Sequence, residues 1–169
     1  AYAEVRSDEM HYLFNAPSLT EVATYTLSGQ DVYSPPEFTW KTIYQVVASA
    51  NIVLSAPDDL PWGEGNTPQE RTNEVKKLKA QAYTVRALAF FDLLRLYGQK
   101  YTGGTLGIVL PTRYDANARS TRATIAQTEA QIEADFQKAI ELFEQVAASQ
   151  GVPLENLVDT DHRNYISPL

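Results

Sequence analysis

The sequence predicts an all-α fold, a helical bundle or superhelix with long irregular loops. Three segments, beginning near residues 35, 68 and 125, carry apolar side chains three and four positions apart. Each opens on a helix-start pattern, and the stretches between them are rich in Pro and Gly. At 169 residues and 18.8 kDa the chain is long enough for one domain with a real core and short for two.

Residues 1–33 show no sustained periodicity. From there SPPE places Ser34 as a cap, Pro35 at the first helical position and Glu37 three residues after the cap, so a helix is expected from there to about Ser55. Its apolar stripe reads Trp40, Ile43, Tyr44, Val47, Ala50 and Leu54, and Pro57 ends it. APDDLPWGEGNTP is a loop by composition, with Trp62 at its centre. An indole there either folds back over the nearest helix, which is commoner, or stands ready to stack on a ligand.

TPQE opens the second helix, with Thr67 as cap and Glu70 returning to it, and Gly98 is expected to end it at Tyr97 in a left-handed conformation. Its first half is amphipathic, with Val75, Leu78, Ala82 and Val85 on one side. From residue 82 it is apolar almost all round, which predicts a helix lying between neighbours. Asp92 and Arg95 are spaced to pair along the helix, while Arg86 reads as a structural arginine bonding a neighbouring loop carbonyl.

The connection that follows contains Gly103-Gly104, a short apolar run from Leu106 to Leu110, and Pro111. Its glycines are too few and wrongly spaced to cradle phosphate. Tyr101 and Tyr114 flank it as binding groups or surface covers. The third helix starts from the Thr124/Gln127 capping box and runs to about Ala148, before Gly151. Its expected buried stripe is Ile132, Phe136, Ile140 and Phe143, with Glu129, Glu133, Asp135, Lys138, Glu141 and Glu144 outside in solvent.

Composition narrows the function. A formal net charge of −7 with no run of Lys or Arg argues against a nucleic-acid or anionic-membrane surface. The absence of cysteine removes disulfides, thiolate nucleophiles and Cys-ligated zinc. No stretch reaches the roughly 18 apolar residues of a membrane span. His11 and His162 have acidic neighbours, but the DTDH segment lacks the glycine and distal glutamate of a calcium loop, and neither metal nor cofactor is expected. HExxH, GxSxG and a Cys nucleophile are missing, so no catalytic residue is assigned.

One helix carries more than packing information. KAQAYTVRALAFFDLLRLYGQ resembles the signature helix of the SusD/RagB family, through Ala80, Ala82, Arg86, Ala87, Phe90, Phe91, Asp92, Leu93, Arg95, Leu96, Tyr97 and Gly98. RSDE at Arg6 to Glu9, the spacing of Trp40, Tyr44 and Asn51, and RSTRATIAQTEAQIEADFQKAIELF resemble further family segments, so the likeness spans roughly residues 6 to 143. The resemblance implies tetratricopeptide-like helix pairs in a cell-surface lipoprotein of the outer membrane. Such a protein binds an oligosaccharide or peptide nutrient, hands it to a SusC-like TonB-dependent transporter, and is not an enzyme. It also implies that residues 1–169 form the N-terminal segment of a longer chain, with the lipid anchor outside it.

Sugars present apolar CH faces and many hydroxyls, so a site needs an exposed aromatic ring with polar neighbours. Trp62 with Asp58, Asp59 and Asn66, Tyr33 with Asp31, and Tyr114 with Asp115 and Asn117 meet that requirement in sequence. A helical scaffold binding a polypeptide partner is the rival reading and predicts an apolar groove along the second helix. A glycosidase comes third, requiring two carboxylates facing across a cleft.

Overall fold

A computed structural model describes residues 35–60, 67–115 and 117–157. The chain divides into two compact units, Ala1–Ile43 and Tyr44–Leu169. In the first, the described residues are the opening turns of a helix. The second holds the rest of that helix and the remaining elements.

The described residues hold three long helices, α1 (Pro35–Leu54), α2 (Pro68–Tyr97) and α3 (Ile125–Gln150), with short 3-10 turns at Lys100–Thr102 and Leu154–Asn156. The expected boundaries hold to within one or two residues. Thr67 and Glu70 cap each other reciprocally, as do Thr124 and Gln127, satisfying amide groups that the first helical turn leaves open. Gly151 ends α3 at φ 65°, the left-handed geometry that glycine adopts without steric cost.

Gly98 departs from expectation. Its φ is −69°, an ordinary extended value, so handedness does not explain the glycine. Its amide donates to the Leu94 carbonyl at 2.8 Å, and a Cβ there would fall on that same carbonyl and on the Leu94 side chain. Close approach, not positive φ, is what excludes a side chain at this position.

Helices α2 and α3 lie side by side and antiparallel. Ala80 early in α2 packs with Leu142 and Phe143 late in α3, and half-buried Tyr83 and Leu154 close that cluster. Val146, Ala147 and Leu157 continue it at one end, so the second 3-10 turn covers the end of the pair. The buried face of α3 is rotated from the expected stripe. Ile132 and Phe143 are buried, but Ala139, Leu142, Val146 and Asp135 join them, while Phe136 and Ile140 are half exposed.

The late half of α2 is also less enclosed than its composition suggests. Ala87, Phe90, Leu93 and Leu94 are buried, yet Leu88 is 47% and Phe91 51% exposed, and Leu78 also faces solvent. An apolar residue turns inward only where a neighbour meets it, and α3 meets one side of the helix. Among the described residues no helix is long and apolar enough to cross a membrane.

Candidate functional site

The connection between α2 and α3 is held by polar side chains from all three helices. Residues 105–108 run antiparallel to residues 123–125: Gly107 N–H donates to Ala123 O at 2.7 Å, Ala123 N–H to Ile108 O at 2.8 Å, and Ile125 N–H to Thr105 O at 2.9 Å. Gly107 is needed because any Cβ would collide with Thr128 Oγ1 and the Thr124 carbonyl. Ile108, fully buried, anchors the segment.

Carbonyls along the rest of the segment are held by side chains. Tyr44 Oη donates to Val109 O at 2.8 Å, and Asn51 Nδ2 to Pro111 O at 2.8 Å. Arg122 binds Gly107 O through Nε at 2.9 Å and Tyr97 O through its terminal nitrogen at 2.7 Å, tying the strap to the end of α2. Burial outweighs the hydrogen bond at Tyr44 and pushes its hydroxyl up to about 12.

Beneath the strap lies a buried ionic node. Arg86 grips Asp135 with two bonds, Nε to Oδ2 at 2.8 Å and a terminal nitrogen to Oδ1 at 2.6 Å. Its other terminal nitrogen reaches Asn51 Oδ1 at 2.7 Å and the Thr112 carbonyl at 3.2 Å. Gln131 donates to Asp135 Oδ1 at 2.9 Å, and the Tyr83 ring centroid sits 5.1 Å from the guanidinium carbon. Arg86 is 4% exposed and Asp135 2%. The loop-carbonyl role expected of Arg86 is present, but its principal partner is Asp135, which belongs inside rather than on the solvated face. With four donor contacts made within the protein, this node holds backbone and offers little to a ligand.

Of the sequence-predicted ligand residues, Tyr114 is described: it is 59% exposed, just beyond the strap. Its neighbour Asp115 folds the backbone locally, accepting from the Asn117 amide at 2.9 Å. Trp62, Asn66, Tyr33 and Asp31 lie outside the described residues, as do Ser34, His11, His162 and the DTDH segment.

A concave feature that helix periodicity does not reveal opens where late α2 meets early α3. The cleft, about 330 Å³, is floored by Phe91, Leu94 and Ile132 and rimmed by Arg95, Lys100, Tyr101, Glu129 and Glu133. Lys100 pairs with Glu129 across it at 3.3 Å, and Arg95 pairs with Asp92 at 2.9 Å, as the spacing predicted. Tyr101, one of the two tyrosines flanking the connection, stands at the lip and is 82% exposed.

Solved structures resemble this one. Crystal structures of a SusD superfamily protein from Bacteroides thetaiotaomicron and of a candidate sugar binding protein from Bacteroides vulgatus each align with a TM-score of 0.60 at 24% identity over 73% of this chain. The chain spans about a quarter of their lengths, 26% and 27%. No curated protein matches the sequence. A family profile described as SusD-like, starch-binding associating with outer membrane, matches residues 4–155. With that match running from the N-terminal segment through all three helices, the chain belongs to the SusD-like family.

Proposed function

We propose that this chain is part of an outer-membrane surface protein that captures an oligosaccharide and delivers it to a TonB-dependent transporter. The match of residues 4–155 to a family described as starch-binding is the observation that carries this reading. The resemblance to a candidate sugar binding protein supports it. So does the division of labour within the connection, where buried side chains hold the strap and leave Tyr114 in solvent beyond it. A rigid support carrying a solvent-facing aromatic loop suits capture of a flexible, hydroxyl-rich ligand.

Capture without chemistry is the second part of the proposal. Asp135, the carboxylate deepest in the described residues, is engaged at both oxygens by Arg86 and at one by Gln131, which gives it a structural task. A lipid anchor outside this chain would hold the whole protein at the cell surface.

Isothermal titration of the full-length protein against soluble plant, host and microbial oligosaccharides, with the mixtures then assayed for new reducing ends, tests both parts. Saturable binding with an unchanged glycan is expected. Cleavage products would replace capture with a glycosidase, and silence across the whole panel would remove the oligosaccharide. A polypeptide-binding scaffold is then the reading to pursue, favoured by the half-exposed Leu88 and Phe91 on α2.

A further inference from the structure

Outside the strap and its loop, the cleft between α2 and α3 is a feature of the described residues whose chemistry the fold does not use. We propose that it is a binding subsite for a neutral pyranose unit, with Tyr101 as the stacking platform. The proposal rests on the oligosaccharide-binding reading above and assigns that activity a place and a set of residues.

The first argument is the aromatic surface. Tyr101 turns most of its ring to water, and half of Phe91 is exposed on the cleft floor. Apolar ring surface left in water is unfavourable, and the CH face of a sugar ring covers it while leaving the hydroxyls at the edge free.

The second argument is the rim. Arg95 and Lys100 on one side face Glu129 and Glu133 on the other. A sugar hydroxyl both donates and accepts, so it meets cations with its oxygen and carboxylates with its hydrogen. A rim of one sign would select a charged ligand, whereas a mixed rim suits a neutral one. Glu133 makes no ion pair among the described residues, and the Lys100–Glu129 pair is exposed and long at 3.3 Å. Exposed pairs of that kind contribute little, so re-aiming them at hydroxyls costs little.

Preorganisation supplies the third argument. The 3-10 turn carrying Tyr101 is closed by Gln99, whose amide donates to Leu106 O at 2.9 Å and whose carbonyl accepts from Thr102 N–H and Gly104 N–H, each at 3.1 Å. Its side-chain Oε1 accepts from Leu106 N–H at 3.3 Å. Gly103 takes the φ of 76° that the closure needs. A ring on a clasped turn loses less freedom on binding than one on an open loop. The volume of about 330 Å³ sits at the small end of the roughly 300–1,000 Å³ typical of small-molecule sites, which fits a short stretch of glycan.

Tyr101→Ala in the full-length protein is the decisive variant: Tyr101 is 82% exposed in this part of the chain, so its removal leaves the buried faces of α2 and α3 untouched, and a fall in melting temperature would mean that other residues of the protein pack on Tyr101 and would overturn the subsite. Titrations would use maltoheptaose, cellohexaose, xylohexaose and mannohexaose. For whichever of these the wild type binds, Tyr101→Ala is expected to weaken affinity about tenfold with an unchanged melting temperature. Tyr101→Phe should keep the stacking and most of the affinity, and Glu133→Gln should weaken binding less than the alanine variant. Affinity within twofold of wild type in Tyr101→Ala would overturn the subsite while leaving oligosaccharide capture standing. Failure of the wild type on these four and on the wider plant, host and microbial panel would overturn both. If Tyr101→Ala changed only a concentration-dependent sedimentation coefficient, the cleft would be an interface between copies and the sugar subsite would be wrong.

Discussion

Two arginines on one helix show how little the length of an ion pair says about its role. Arg86 and Arg95 both meet an aspartate, at 2.6 and 2.9 Å. The first pair is buried, bidentate and joined to Asn51 and the Thr112 carbonyl. The second is an i, i+3 surface pair with both side chains about half exposed. Solvent has open access to the second pair and little to the first. Removing one partner therefore strands a charge in the first case and frees a solvated side chain in the second.

The largest effect is expected at Asp135. Asp135→Ala leaves the Arg86 guanidinium buried without its counter-charge and should cost roughly 3–5 kcal/mol in urea denaturation. A cost below about 1 kcal/mol would mean that water reaches the node and that the contrast with Arg95 is false. Asn51→Ala should be intermediate, at about 1–3 kcal/mol, since it orphans one Arg86 donor and the Pro111 carbonyl together. A double cycle with Asp135→Asn would then show whether the node acts as one unit.

The same contrast explains what could be read from sequence. Capping boxes are local patterns, so Thr67/Glu70 and Thr124/Gln127 were legible and hold in the structure. Arg86 stood out because a charge in an apolar run needs a partner. Asp135 did not, because its flanking charges Glu133 and Lys138 do face solvent, and its partner lies 49 residues away. Periodicity sorts residues by hydrophobicity and places an aspartate outside by default. The cleft was hidden for a related reason: it needs residues 91–95, 100–101 and 129–133 to converge, and only packing brings them together. Tyr101 and Tyr114 could be singled out as loop aromatics, but their exposure is a property of the fold.

Tyr44 sharpens the comparison along the pH axis. Its hydroxyl is raised from 10.0 to about 12, so folding favours the protonated form. The stabilisation it contributes is fully present below about pH 10 and is lost as pH rises through about 12. Stability followed by denaturant midpoint across that window should fall in the wild type and fall less in Tyr44→Phe. Equal slopes would show that burial of the Tyr44 hydroxyl does not govern the titration. The smallest effect belongs to Arg95→Ala, within about 0.5 kcal/mol of wild type at moderate salt. A larger loss there would show that the surface pair is part of a cooperative network.

The strap between α2 and α3 has one further consequence, for association. An extended segment normally presents a row of open carbonyls to which a foreign β-strand can add. In this strap Gly107, Ile108, Val109, Pro111 and Thr112 each have their carbonyl already taken, by Arg122, Ala123, Tyr44, Asn51 and Arg86. Pro111 also lacks an N–H to offer. Four side chains and the Ala123 amide thus occupy acceptors that a templating strand would need, which blunts this stretch against edge-to-edge aggregation.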